Sequence, residues 1–365
     1  MSLQNANLQL VNWIARLFLL CSIAYSSHAH AEQHSFELDV PAARETSLAG
    51  EMTDWDNGKL PMLKGTDGKW RVSVDLTPGQ WLYKFVVDGR WIADPGVADH
   101  DADGEGGQHS FIFVGKGDWE DLPDVPKGRV DRLMVPSTTW GKPIKLNIYL
   151  PPGFDRGKPY PVLWLLHGGD GNMDADQWLK TGKVDRYMNN LIARGAIHPF
   201  VIVMPSSPGG ESMPYTGKSE QFITQELPNW LASTYDLRAD RNQSGVAGMS
   251  WGGFGAYSLP LKHSDLYGFS FSLSGYFRDD FIAALPNEAK LPVQSILVCG
   301  RDDSVDLLTS NRKLVDALNA RHSKFYYRED PGAHTWHFFS NRTAEMLTAA
   351  DAFFASKNAQ SNAIH

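Results

Sequence analysis

Ser244-Gly245-Val246-Ala247-Gly248-Met249-Ser250-Trp251-Gly252-Gly253 decides the reading of this chain. It is a short apolar run that ends in a Gly-x-Ser-x-Gly turn and passes into a helix-like stretch. A sharp strand-to-helix turn needs glycine on its flanks, because side chains there collide with neighbouring strands. Such a turn lifts the serine hydroxyl out at the carboxyl end of a sheet, beside a helix N-terminus. The motif alone is weak, since a chain with 33 glycines shows it by chance. The strand before it and the helix after it give it weight. Ser250 is the candidate nucleophile.

Serine is a poor nucleophile without a base, so the segments around the turn must supply one. Val130–Val135 and Ile144–Leu150 read as strands that open a sheet. Val162–Leu166, Phe200–Met204, Phe269–Leu273, Ile296–Cys299 and Phe325–Tyr327 are further β-like runs, with helix-like stretches between most of them. Strands alternating with helices imply an α/β fold with a mostly parallel sheet covered on both faces. In the α/β-hydrolase arrangement the order along the chain is Ser, then acid, then His, each at the end of a later strand. Ile296–Cys299 leads to Gly300-Arg301-Asp302-Asp303, and Phe325–Tyr327 leads to Pro331-Gly332-Ala333-His334. His334 is the expected base and Asp303 the expected acid, with His337 and Asp302 as alternatives. Donors for a developing oxyanion are expected from the Trp251 N–H and from Gly169, in the Gly-rich loop after Val162–Leu166. His167, just before that loop, reads as structural. Pro260 falls inside the helix after the nucleophile, where a proline costs about 3 kcal/mol or forces a kink.

The first third has another texture. Trp70, Val72, Val74 and Leu76 alternate with polar residues, and Trp81, Tyr83, Phe85 and Val87 repeat the pattern after Pro78-Gly79. This period of two, broken by turns, predicts an all-β sandwich over 32–115. Residues 116–127 read as a linker, 128–357 as the α/β domain and 358–365 as a disordered tail. Asp99, Asp101, Asp103 and Gly104 imitate the start of a calcium loop. Ser110 stands where the closing Glu would be, so a solvated hairpin loop is the better reading.

Residues 1–31 read as an export signal, with Arg16, an apolar run over Leu17–Tyr25 and Ala29-His30-Ala31 as a cleavage site. A retained anchor or a lipoprotein through Cys21 are the lesser alternatives. A secreted or periplasmic address is expected, with no membrane association after cleavage. Cys299 then remains alone, a small buried hydrophobe without a disulfide partner. The net charge of −8, with both signs scattered, argues against a nucleic-acid binder.

Together these residues resemble the esterase D-like branch of the α/β hydrolases, which includes feruloyl and acetyl-xylan esterases of carbohydrate esterase family 1 and the enterochelin esterases. The matches are Leu165-Leu166-His167-Gly168-Gly169, Gly248-Met249-Ser250-Trp251-Gly252-Gly253, the Gly-x-x-Asp of Gly300 to Asp303, and Gly332-x-His334-x-Trp336. Trp251 sits where that branch usually has Met. The N-terminal stretch resembles the glycogen-binding, early-set sandwiches of carbohydrate-binding module family 48, through Trp55, Tyr83 to Trp91, and Asp94-Pro95. That resemblance implies carbohydrate contact through Trp55, Lys84 and Trp91. Gln108-His109 replaces the usual Asn pair.

The resemblances imply a secreted serine esterase that removes acyl groups, feruloyl or acetyl, from carbohydrate, with no metal or cofactor. The partner would be a small-molecule or polysaccharide ester, with glucan or xylan held by the sandwich. A siderophore triesterase is the alternative substrate reading, and an inactive glycan-binding protein the alternative class.

Overall fold

The computed structural model describes residues 31–362 apart from 57, 99, 103–106, 170–173, 210–212, 239 and 287–292. The expected export signal, Cys21 and most of the calcium-like loop lie outside the described residues.

The sandwich forms as the alternation predicts. Its first sheet has the order β1-β5-β4, from β1 (Glu32–Leu38), β4 (Leu63–Lys64) and β5 (Trp70–Leu76). The second has the order β3-β2-β6-β9-β8, from β2 (Thr46–Gly50), β3 (Leu60–Pro61), β6 (Gly79–Val87), β8 (His100–Ala102) and β9 (Gln108–Val114). β7 (Arg90–Ile92) pairs with β6. Phe36, Leu38, Leu48, Trp70, Tyr83 and Phe85 are buried between the sheets.

Because side chains alternate across a strand, the residues between Tyr83 and its neighbours face the other way. That outer face is not solvated along its whole length. Leu82 and Phe111 join the buried cluster that also holds Trp178, Trp336 and Phe339 of the second domain. The expected linker is also docked. Trp119 stacks on Phe113 with ring centroids 5.8 Å apart, and Asn190 Nδ2 donates to the carbonyls of Asp118 and Glu120. One buried cluster thus continues from the second domain into the sandwich, beside the sandwich's own core.

The second domain holds β10 (Arg129–Val135), β11 (Ile144–Leu150), β12 (Val162–Leu166), α1 (Gln177–Lys180), α2 (Val184–Ala193), β13 (Val201–Pro205), α3 (Gly217–Gln221) and α4 (Leu227–Tyr235). They are followed by β14 (Ser244–Met249), α5 (Trp251–Lys262), β15 (Phe269–Leu273), α6 (Asp279–Ala283), β16 (Gln294–Gly300), α7 (Val305–Ala320), β17 (Tyr326–Asp330), α8 (Trp336–Ser340) and α9 (Thr343–Asn362). The eight-stranded sheet has the order β10-β11-β13-β12-β14-β15-β16-β17. β11 is antiparallel to both neighbours, and the strands from β13 to β17 are mutually parallel. This is an α/β-hydrolase sheet, and its near-continuous apolar strands are fully buried, as in β12 and β13.

Two expectations need correction, and the expected helix-interior proline finds a compensating partner. β17 begins one residue late and runs on to Asp330, so the His334 loop starts directly at the strand end. The last helix continues to Asn362, past residue 357 where a disordered tail was expected. Pro260 lies within α5 without ending it. Its missing N–H would leave the Ala256 carbonyl unpaired, and Ser270 Oγ donates to that oxygen at 2.7 Å. A hydroxyl from β15 thus offsets the proline.

Candidate active site

Parallel strands deliver their carboxyl ends to one rim, where loops converge. β14 ends at Met249, and Ser250 follows with φ 56° and ψ −123°, a strained conformation for a residue with a β-carbon. The strain persists because the surroundings leave no alternative. Ser250 N–H donates to the Leu273 carbonyl at 2.9 Å, and Phe254 N–H donates to the Ser250 carbonyl at 3.0 Å. A β-carbon at Gly252 would stand 2.3 Å from the Leu166 carbonyl oxygen, so only glycine lets α5 start so close to β12.

His334 and Asp303 come together on the same rim. His334 Nδ1 is 3.1 Å from Asp303 Oδ1 and 3.2 Å from Oδ2. The Asp303 carboxylate is fully enclosed, whereas the imidazole is about one-third exposed, at 30%. Asp302 turns elsewhere: its carboxylate accepts the Gly332 N–H at 3.0 Å and shapes the loop before His334. Behind that loop, Asp330 accepts from both Arg328 and Arg342, and Arg342 lies 3.7 Å from the Phe338 ring centroid. The loop is therefore pinned at its base. Among the described residues no hydrogen bond joins the Ser250 hydroxyl to the imidazole; such bonds often tighten only when substrate is bound.

His337, the alternative base, is removed from the rim. Its ring stacks on Trp81 of the sandwich, Nδ1 donates to the Gln80 carbonyl at 3.0 Å, and Nε2 accepts from Asn341. Burial pushes its pKa down to about 4.

The glycine loop is organised by a buried histidine. His167 Nε2 accepts the Ser207 N–H at 2.9 Å, and its Nδ1 donates to the Gly168 carbonyl at 2.8 Å. A backbone N–H can only donate and a carbonyl can only accept, so these partners fix one neutral tautomer. Burial lowers the His167 pKa in the same sense. The Gly168 N–H is taken by Gln177 Oε1 at 3.0 Å. A β-carbon on Gly168 would be 3.2 Å from that of Ser250, so the loop lies against the Ser250 turn. Gly169, next along with φ 76°, is the first loop residue whose N–H Gln177 does not occupy. Trp251 opens α5, where first-turn N–H groups lack intrahelical partners. Its ring stands edge-on to Tyr276 at 5.2 Å. Gln177 was not singled out from sequence, because nothing local marks a glutamine nine residues on as an acceptor.

On the sandwich, Trp55 lies 6.5 Å from Trp91, centroid to centroid, and 4.5 Å from His109. Trp91 is 43% exposed. Lys84 lies on the face opposite the buried Tyr83 and Phe85. His109, read as a departure from a binding pattern, instead extends the aromatic group. Asp54 and Trp55 both have positive φ, 52° and 61°, so the turn that presents the Trp55 ring is strained. Among the described residues no cluster of metal-ligating side chains occurs, and no helix is long and apolar enough to cross a membrane.

Comparison with known proteins agrees with this fold. An endo-1,4-beta-xylanase/feruloyl esterase of Xylanibacter ruminicola is 28% identical over 304 residues, covering 78% of this chain and 40% of that protein. The chain thus spans about two-fifths of that relative's length. A solved ferulic acid esterase superposes with TM-score 0.55 at 24% identity, over 62% of this chain and 99% of its own. The enterobactin esterase of Shigella flexneri superposes with TM-score 0.69 at 17% identity, over 90% of this chain and 94% of its own. At these identities the structural likenesses establish the fold. Residues 41–120 match the model described as the glycogen recognition site of AMP-activated protein kinase. Residues 137–350 match the model described as "Putative esterase", and the chain belongs to that family.

Proposed function

We propose that this chain is a serine carboxylic-ester hydrolase acting on acyl esters of carbohydrate, of the feruloyl or acetyl type. The observation that carries the reading is the Asp303–His334 pair on the rim where Ser250 is held in its strained turn.

In the proposed reaction, His334 Nε2 takes the hydroxyl proton as Ser250 Oγ attacks the ester carbonyl. Asp303 holds the Nδ1–H and stabilises the imidazolium that forms. The carbonyl oxygen becomes an oxyanion facing the Trp251 and Gly169 N–H groups. The carbon–oxygen bond to the sugar then breaks and His334 returns the proton to the leaving alkoxide, leaving an acyl group on Ser250. Water, deprotonated by His334, then attacks the acyl carbon; the bond to Ser250 Oγ breaks, His334 returns the proton to Oγ, and the acid is released. Export through residues 1–31 belongs to the same reading and would bring the enzyme to extracellular or periplasmic substrate.

The carbohydrate assignment is supported by the feruloyl esterase relative and by the Trp55–Trp91–His109 group, since flat aromatic rings stack on apolar sugar faces. Ser250→Ala should abolish turnover of both p-nitrophenyl acetate and methyl ferulate. Substantial residual hydrolysis would refute the assignment.

A second substrate, a siderophore triester, is favoured by the likeness to the enterobactin esterase, which extends through both domains over 90% of this chain. Turnover of iron-bound enterobactin compared with feruloylated oligosaccharide separates the two.

A further inference from the structure

The sandwich does more at the seam than adhere. β2 ends at Gly50, where a β-carbon would lie 2.4 Å from the Leu82 carbonyl oxygen, so the strand end presses directly on β6. The chain then makes a single helical turn, Glu51–Thr53. Thr53 Oγ1 accepts the Gly50 N–H at 3.1 Å and donates to the Gly50 carbonyl at 3.0 Å. That closed turn aims the Glu51 carboxylate across the domain boundary. Oε2 accepts the Leu82 N–H of its own domain at 2.9 Å, and Oε1 accepts the Trp336 N–H of the other domain at 2.6 Å.

Trp336 opens α8, two residues after His334. The first N–H groups of a helix have no intrahelical partner. Here they are divided between domains: Thr335 Oγ1 takes the Phe338 N–H at 3.2 Å, and Glu51 takes that of Trp336. Trp336 is held edge-on to Trp178 at 5.4 Å, and the His334 ring stands edge-on to Phe339 at 5.1 Å. Trp81, Leu82 and Phe111 already supply apolar contact across the seam. A carboxylate is not needed for adhesion there, and its desolvation is a cost. What it adds is a fixed height and direction for the backbone just after His334.

We propose that Glu51 is a positioning residue for His334, so that the sandwich sets the geometry of the catalytic base. The proposal rests on the reading of His334 as base.

The test uses the full chain with p-nitrophenyl acetate. Glu51→Ala should lower kcat by about tenfold with KM within about twofold, since misplacing a base costs turnover more than binding. Glu51→Gln keeps the shape but offers one acceptor oxygen instead of two. It should fold and lose about threefold or more in kcat, which decides the matter if the alanine variant does not fold. Gln80→Ala serves as the structural control, because it removes only the side chain, whose Nε2 bonds the Thr181 carbonyl across the same seam, and keeps the backbone carbonyl that accepts from His337. Its unfolding midpoint should fall while kcat holds within about twofold. Equal kcat losses in Gln80→Ala and Glu51→Ala, or wild-type kcat in a folded Glu51→Gln, would overturn the proposal. Residual turnover in Ser250→Ala would instead overturn the esterase reading itself, and the two failures are distinct.

Discussion

The His337 imidazole stacks on the Trp81 indole with centroids 3.9 Å apart, joining α8, which follows the His334 loop, to the sandwich. Two titratable groups of opposite tendency meet at this seam. Burial holds His337 at about 4, below its ordinary 6.5, so its contribution is present above pH 6.5 and is lost as pH falls towards 4. Burial raises Glu51 from 4.5 to about 7, so its contribution is present below pH 4.5 and is lost as pH rises through 7. The windows overlap and the slopes oppose, so the pair flattens the pH dependence of the wild-type chain. Relative to wild type, the stability of Glu51→Gln should rise between pH 4.5 and 7, where the removed group titrates, by on the order of 1–3 kcal/mol. The stability of His337→Gln should fall relative to wild type, by on the order of 1–3 kcal/mol, between pH 4 and 6.5. Urea midpoints at three pH values check this, and differences that do not vary with pH would contradict it.

Asp303 and Asp302 are adjacent in sequence and turn to different partners, His334 Nδ1 and the Gly332 N–H. Asp303→Asn removes the carboxylate that holds the His334 Nδ1–H, and kcat should fall by roughly 10³–10⁴. Asp302→Asn keeps an oxygen able to accept the Gly332 N–H and should stay within about threefold of wild type. Steady-state kinetics on methyl ferulate, with circular dichroism to verify folding, tells them apart. Equal losses would reassign the acid.

Gly252→Ala should destabilise the domain by roughly 3 kcal/mol, because the new methyl meets backbone oxygens of Leu166 and His167 that cannot swing aside. Thermal unfolding measures it. An unchanged midpoint would mean that α5 does not approach β12 as closely as described.

Trp91 is the most accessible ring of the sandwich group. Trp91→Ala should leave kcat/KM on methyl ferulate within about twofold, and it should weaken retention on insoluble glucan or xylan by about tenfold. Pull-down at graded polysaccharide concentration reads the effect. If wild type itself is not retained, the platform does not bind these glycans.

The two-domain plan was legible because local patterning and fold agree. Period-two alternation in β5 and β6 gave the sandwich, and buried apolar runs spaced by helices gave the parallel sheet. The sharp turn at Ser250 and the strand ends that carry Asp303 and His334 to one rim were legible because turns and strand ends leave local marks. Other features left none. That Asp303, not its neighbour, meets His334 depends on the rotation of the chain as it leaves β16. That Ser270 repairs the gap left by Pro260 depends on which hydroxyl β15 presents to α5.

The sequence by itself determined what each segment would become, because turn chemistry and hydrophobic period act over a few residues. Only the tertiary structure decided that β6 and β9 turn an apolar face to the second domain, and that Glu51 reaches Trp336, 285 positions away. Hydrogen bonds and burial at such separations belong to the packed chain, and no local pattern records them.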